Sequence, residues 1–329
     1  MRILIIKTTS LGDVVHNLPI IADIKKYLPE ALIDWVVEES FVDILTMHTG
    51  INQIIAVAIR RWRKSLHSKQ TWIEFFAFKK LIQSMQYDFV IDTQGLLKSG
   101  LIASLSNSVN KCGYDKAWVR EPIASHFYNH HYAISRDLHA VLRNRKLAAL
   151  ALGYTIDEAT LNYGINVPAN SDICGIGKTL PPDFILALHG TSRDSKLWAI
   201  EQWVALGKKL QLQGFSLVLP WGSDAERQRA KKIARQLDQA LVLPKMGILS
   251  LANIIQKSQA VVGVDTGLAH LAVALNKPVI GIYTDTNPIL TGLYGGTEQT
   301  FKNLGNQHQI VTAQEVLTQL KAFKIVAHA

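Results

Sequence analysis

Residues 261–283, VVGVDTGLAHLAVALNKPVIGIY, constrain the fold more than any other stretch of the chain. The short β-branched run 261–264 reads as a buried strand. Asp265-Thr266-Gly267 supplies turn and cap chemistry, and 268–275 reads as a helix. Asn276-Lys277-Pro278 ends that helix, and 279–283 is the next strand. Strand, helix and strand in so few residues call for a parallel crossover unit. A helix starting at Thr266-Gly267 aims unpaired backbone N–H groups and its positive dipole end at whatever lies above the strand. Phosphate is the usual guest of such a position. An ordinary turn capped by Asp265 or Thr266 accounts for the same residues.

The chain has 329 residues, natural for two domains of about 150 each. At 48% hydrophobic and 19% charged it can bury sizeable cores, which excludes a disordered chain. The formal net charge of +9 points to an anionic partner: nucleic acid, a phosphorylated substrate or an anionic membrane surface. No apolar run approaches the ~18 residues of a membrane span. The N-terminal MRILIIKTT has too short an apolar stretch for a signal peptide and continues into a strand–helix pattern. Cys112 and Cys174 offer neither a disulfide framework nor metal-ligand spacing, so two thiols in a reducing compartment are expected.

Taken in order, strands are expected at 3–6, 32–37, 54–57 and 88–93. Helices are expected at 13–28, 39–48, 71–86, 96–105 and 140–152, the last ended by Gly153. Pro19 falls inside the first helical pattern and is expected to kink it. Residues 164–182, rich in Asn, Gly, Ser and Pro, lose the rhythm and read as a linker. The alternation resumes with strands at 184–189, 215–219, 240–243, 261–264 and 279–283 and helices at 201–213, 224–237, 250–257 and 268–275. The expected division is a basic domain 1–163, the linker 164–182, a second domain 183–312, and a final helix within 313–329. That helix either completes the second domain or crosses back to the first. Two doubly wound α/β domains facing each other across a cleft are the simplest fold that fits.

The first loop, KTTSLGDVVH, has neither the GxxxxGK[ST] nor the GxGxxG pattern, which removes the usual support for nucleotide hydrolysis or nicotinamide binding. It does place Gly12 and Asp13 at a strand's carboxyl end. A carboxylate there can act as a general base on a hydroxyl, or simply cap its helix. In LHGTSRDSKLW, 188–198, Gly190, Thr191 and Ser192 offer small donors, and Lys196 a mobile charge suited to phosphate. In LPWGSDAERQRA, 219–230, Glu226 on a first helical turn can accept from ribose hydroxyls or serve as a dipole-favoured surface residue. Arg60, Arg61, Arg63 and Lys64, with Trp62 between them, suit a nucleic-acid backbone, an acidic glycan or plain solvent. The glycan is preferred over nucleic acid because no nucleic-acid fold signature accompanies the cluster. His126 and His130 would share a face on a helix, but HFYNHHY suits a strand or loop equally, and packing is expected there rather than a metal.

Five segments together carry a family resemblance: KTTSLGDVVHNLP at 7–19, LHGTSRDSKLW at 188–198, LPWGSDAERQRA at 219–230, LPKM at 243–246 and VDTGLAHLAVAL at 264–275. In order and spacing they resemble the bacterial ADP-heptose:lipopolysaccharide heptosyltransferases, most of all those that add the first heptose to Kdo-lipid A. The resemblance runs through nearly the whole chain. It implies the GT-B fold, two Rossmann-like domains.

The resemblance also implies roles. Asp13 matches the catalytic base that takes the proton of a Kdo hydroxyl. Thr191, Ser192 and Lys196 match the donor's phosphate-binding loop, Glu226 the ribose contact and Met246 a backbone contact to adenine. Asp265 matches a residue near heptose and phosphate, and Thr266, Gly267 and His270 the pyrophosphate-binding helix start. Ser10, Gly12, Arg60, Arg63, Lys64, Arg120 and Arg143 resemble the residues that receive the anionic acceptor. Ser192 stands where threonine is commoner and Gly190 where alanine is commoner. The implied partners are ADP-L-glycero-D-manno-heptose, Kdo-lipid A and the anionic cytoplasmic surface of the inner membrane, with no nucleic acid, metal or cofactor. The implied location is cytoplasmic and peripheral. A later core heptose, another sugar nucleotide, or a non-catalytic module for anionic ligands stand as alternatives.

Overall fold

A computed structural model describes residues 1–168, 179–296, 299–307 and 309–326. The chain divides into two compact units, Met1–Asn166 and Val167–Ala329.

In the first unit, strands β1 (Arg2–Ile6), β2 (Leu32–Glu38), β3 (Gln53–Val57), β4 (Phe89–Asp92), β5 (Lys111–Tyr114) and β6 (His130–Tyr132) form a parallel sheet in the order β3-β2-β1-β4-β5-β6. The helices are α1 (Leu11–Val15), α2 (Pro19–Tyr27), α3 (Val42–Thr46), α4 (Ile59–Trp62), α5 (Lys69–Ser84), α6 (Leu97–Leu105) and α7 (Ala140–Leu152). β1 and β2 are buried because helices cover both faces of a parallel sheet, which is why they are mainly apolar, β1 after Arg2 and β2 apart from Asp34 and Glu38. Pro19 divides the expected 13–28 helix in two: it sits at N1 of α2, where its missing N–H costs nothing. The expected helix 39–48 begins as a 3-10 turn and becomes α3. Gly153 ends α7 in the left-handed conformation, φ 76°, open to glycine without a Cβ penalty. Arg145 is buried and pairs in two bonds with Asp23 at 2.7 and 3.0 Å, tying α7 to α2.

In the second unit, β7 (Phe184–Leu188), β8 (Ser216–Leu219), β9 (Ala240–Val242), β10 (Ala260–Val264), β11 (Val279–Ile282) and β12 (Phe301–Leu304) are again parallel, in the order β12-β11-β10-β7-β8-β9. The helices are α8 (Ile200–Gln211), α9 (Asp224–Ala234), α10 (Ile248–Lys257), α11 (Gly267–Ala274), α12 (Pro288–Thr291) and α13 (Ala313–Ala322). Val316, Leu317 and Leu320 of α13 are buried in this unit's core beside Trp203, Leu206 and Leu210, so the last helix completes the second unit. Gly164–Asn166 of the expected linker are tied into the first unit: Ile165 bridges His48, and Asn166 N donates to Met47 O. Linker residues 169–178 lie outside the described residues.

Both sheets have the 3-2-1-4-5-6 strand order of a doubly wound nucleotide-binding fold. Their strand order reverses between β1 and β4 and between β7 and β10. Ligands bind such sheets at the carboxyl ends of those strands. The chain there is 7–13 with 93–95 in one unit, and 189–196 with 265–267 in the other.

Candidate active site

In the second unit the loop after β7 meets the turn after β10. Lys196 Nζ donates to Asp265 Oδ2 at 2.6 Å, and both side chains are mostly enclosed, 14% and 12% exposed. Thr191 Oγ1 donates to Asp265 O at 2.9 Å, and Thr286 Oγ1 to Asp265 Oδ2 at 2.8 Å. The loop is held from the other side as well: Ser195 Oγ donates to Asp285 Oδ2 at 2.6 Å, and Thr284 Oγ1 to Ser195 O at 2.8 Å. Thr266 caps α11 in an extended conformation with no side-chain cap bond, which leaves Gly267 at the first helical turn. The two threonine hydroxyls thus hold Asp265, while the Lys196 ammonium, with hydrogens beyond the one given to Asp265, and the N-terminus of α11 form a donor set suited to an oxyanion.

Glu226 lies at the third position of α9. Its Oε2 accepts from Gly222 N at 2.6 Å and Ser223 N at 3.1 Å. Oε1 is turned toward Gly190, where an added Cβ would sit 2.6 Å from it. Glycine at 190 therefore makes room for this carboxylate, and the two expected site loops meet through it. His189, at the base of the loop, is fully buried and Nε2 pairs with Pro220 O at 3.0 Å. Burial, with the charge of Arg229, drops its ring to about 4.

The remaining expected donor residues are spread around this centre. Ser192 is exposed on the loop, Met246 is half-buried just before Gly247, the cap of α10, and His270 is buried within α11.

In the first unit Asp13 is the third residue of α1, and Ser10 is its cap. Asp13 Oδ2 accepts from Ser10 N at 2.8 Å and Ser10 Oγ at 3.0 Å. The capping role and a chemical role are therefore compatible, since the second carboxylate oxygen is not spent on the cap. Behind it Lys7, 7% exposed, donates to Thr93 O at 2.9 Å. Burial pulls the Lys7 ammonium below the usual lysine range, and Asp13 and Asp92 oppose that pull. Gln94 Oε1 accepts from both Thr8 N and Thr9 N, fixing the loop to the end of β4.

Lys98 Nζ donates to Thr9 Oγ1 at 2.8 Å, and its ammonium is lowered by burial against the pull of Glu38, with Arg60, Arg63 and Arg120 adding to the lowering. Arg120 and Arg143 likewise act on Lys7. Arg60, Arg63, Arg120 and Arg143 thus share one positive field with the Asp13 loop. Arg143 stacks over Tyr114 at 4.6 Å and donates to Trp118 O, so it is fixed in place. Lys64 lines a groove with Arg60, Arg61, Glu38 and Glu39. Arg61 itself is engaged by Glu39 and Glu74, both at 2.9 Å.

Lys98, Thr286 and Gln94 carry no motif of their own and were not expected at these sites. Gln94-Gly95 directly after a strand was the one available signal for the last.

His126 lies in the last turn of a 3-10 segment, Pro122–Phe127, whereas His130 and His131 lie on β6, so no helix face joins them. His131 Nε2 pairs with Ser125 O at 2.8 Å. Among the described residues no group of three or more His, Cys, Asp or Glu could hold a metal, and no helix is long and apolar enough to cross a membrane.

The model of glycosyltransferase family 9 (heptosyltransferase) matches residues 75–320. Lipopolysaccharide heptosyltransferase 1 of Pseudomonas aeruginosa is 40% identical over 298 residues, 91% of this chain and 82% of that one. The structure of E. coli heptosyltransferase WaaC with ADP superposes with a TM-score of 0.87 at 39% identity, covering 98% of this chain and 99% of that one. The E. coli enzyme with ADP-2-deoxy-2-fluoro heptose gives 0.84 at 38% identity, covering 98% and 100%. The fold is that of a GT-B glycosyltransferase. Within that class the chain belongs to glycosyltransferase family 9, the heptosyltransferases.

Proposed function

We propose that this protein transfers L-glycero-D-manno-heptose from ADP-heptose to a Kdo hydroxyl of Kdo-lipid A, the first heptose of the lipopolysaccharide inner core. The observation that carries the donor side is the Lys196–Asp265 pair at the start of α11. In a chain 39% identical to an E. coli enzyme whose structure holds ADP, that donor set suits the pyrophosphate.

Lys196 and the amides at Thr266 and Gly267 take the charge that grows on the leaving ADP, with Thr191 holding the loop to Asp265 and offering its backbone N–H to the phosphates. Ser192 adds a hydroxyl to the phosphates and His270 a ring near the same helix start. Glu226 Oε1 receives the ribose hydroxyls, and the backbone at Met246 meets adenine. Asp265 orients Lys196 and lies near the heptose. The Kdo hydroxyl oxygen attacks the anomeric carbon, the bond from that carbon to the β-phosphate oxygen breaks, and Asp13 takes the hydroxyl proton. One displacement inverts the anomeric centre and needs one base. The fixed Ser10 contact holds the Asp13 carboxylate in place, with Gly12 giving the acceptor close access to the backbone. Arg60, Arg63, Arg120 and Arg143, with Lys98, receive the negative charges of the acceptor. Lys64 sits at the edge of that field. The chemistry asks for no metal or cofactor: the cationic and N–H donors supply the stabilisation. An acceptor anchored in a bilayer places the enzyme peripherally on the cytoplasmic face of the inner membrane.

ADP release from ADP-heptose, with and without a delipidated Kdo-bearing acceptor, tests this reading. Acceptor-dependent release is expected. Release only with an acceptor already carrying heptose would move the enzyme to a later core sugar.

A further inference from the structure

We propose that the first unit docks on an anionic lipid bilayer through one face of α5 and the apolar pocket beside it. The proposal deepens the peripheral location given above and rests on that reading for the membrane concerned.

Trp72, Ile73 and Phe76 of α5 are 48%, 52% and 58% exposed, and Leu66 just before the helix is 59% exposed. They are continuous in space: Trp72 and Phe76 have ring centroids 6.3 Å apart, and Phe75 joins both. Leu66 and Trp72 also line a pocket of about 490 Å³ walled by Trp62, Phe75, Phe78 and Ile102. That volume falls in the ~300–1,000 Å³ range of ligand pockets. A cluster of large exposed aromatic and aliphatic side chains is uncommon on a soluble surface and marks a contact site.

The charges choose the partner. Lys69, Lys79 and Lys80 flank the apolar face, and among the described residues none of them is ion-paired. The only acid within α5, Glu74, is taken up by Arg61 and by the Trp62 indole N–H. A helix with apolar aromatics on one side and uncompensated lysines around them suits the boundary of an anionic bilayer. The pocket is also lined by Arg63 and Lys98, and Lys98 holds Thr9 beside the Asp13 loop. The apolar face therefore runs directly into the basic field proposed for the acceptor. A surface that seats lipid there would bring a membrane-borne headgroup to that field.

The test uses the full chain and co-sedimentation with phosphatidylethanolamine vesicles, with or without phosphatidylglycerol. The parent is expected to bind the phosphatidylglycerol vesicles and to be released by salt. Ile73→Ser with Phe76→Ser, and separately Lys79→Glu with Lys80→Glu, are each expected to weaken binding at least tenfold. Both pairs are exposed or half-buried, and ADP release with the soluble, delipidated acceptor should stay as in the parent. Vesicle binding unchanged in both variants, or absent in the parent, would overturn the proposal. So would a parent dimer that the Ile73/Phe76 variant dissociates, because a second copy would then cover this face. If vesicle binding follows the expected pattern while no protein turns over the soluble acceptor, the docking surface stands and the proposed acceptor falls.

Discussion

Lys196 and Asp265, 69 residues apart in sequence, meet at 2.6 Å and join the loop after β7 to the turn after β10. Asp265 also accepts from Thr286 and, through its carbonyl, from Thr191. The aspartate thus collects the loops that surround the start of α11. Lys196→Ala should lower ADP affinity by about 10–100-fold, the ~1.5–3 kcal/mol of a hydrogen bond to a charged group. Asp265→Asn should lower it less, because it frees Lys196 but loosens its position. The two effects should be non-additive in a double-mutant cycle read by calorimetry with ADP. Additive losses would mean that the pair does not act as a unit.

Gly190 and Glu226 are coupled by space rather than by a bond. A Cβ at 190 would meet Oε1, Cδ and Cγ of Glu226 at 2.6, 2.7 and 2.9 Å. These atoms belong to a flexible side chain, so Gly190→Ala should cost less than about 1 kcal/mol of stability, as a change the site can absorb. It should instead raise the KM for ADP-heptose several-fold by turning Oε1 away. In a Glu226→Ala background the same glycine substitution should have no effect on KM. A KM unchanged by Gly190→Ala alone would remove the spatial coupling.

The central strands were legible because a strand buried on both faces must be apolar, as β7 and β10 are throughout and β1 is after Arg2. The outer strands β5, β6 and β12 read KCGY, HHY and FKNL, and nothing local distinguishes them from loop. They are strands because a neighbour already offers an edge. The same difference holds at the sites. Thr191, Lys196 and Asp265 stand in loops whose position after a strand could be read directly. Lys98 looks like any helix lysine, and only the fold brings it to Thr9, 89 residues away. Thr286 is likewise recruited by tertiary packing. Pro19 was visible, but whether it kinks or separates a helix depends on where the next N-terminus falls.

Asp13 combines a cap with the proposed base, and the two can be separated. Asp13→Ala removes the acceptor of Ser10 N and should cost about 1 kcal/mol of stability, as cap losses do. Asp13→Asn keeps an acceptor of the same size but cannot take a proton. Both variants should lower kcat by about 10²–10⁴-fold, the usual share of general-base catalysis. ADP binding, assigned in the proposal to residues of the other unit, should be unchanged. Near-parental transfer by Asp13→Asn would leave the residue a structural cap only.

Acid should destabilise each unit through one buried histidine. His48 Nδ1 accepts from Gly50 N at 2.9 Å, which requires the neutral ring, and burial drops its pKa to about 4. His189 is dropped equally far, to about 4, by burial and by Arg229, against the pull of Glu226. Both folded values lie below the ordinary 6.5 of an unfolded chain. Above pH ~6.5 neither state binds the proton, so the full stability is present. As pH falls from there toward 4, the unfolded chain binds protons that the folded one refuses, and stability declines by up to about 3 kcal/mol per histidine. Urea midpoints measured from pH 7 to 4.5 should therefore fall steadily. His48→Gln, which keeps an acceptor for Gly50 N, should flatten the part of that decline belonging to the first unit. It should leave the second unit's part intact, read by the pH dependence of ADP protection against thermal unfolding. An equally steep first-unit decline in the variant would assign the acid sensitivity to groups other than His48.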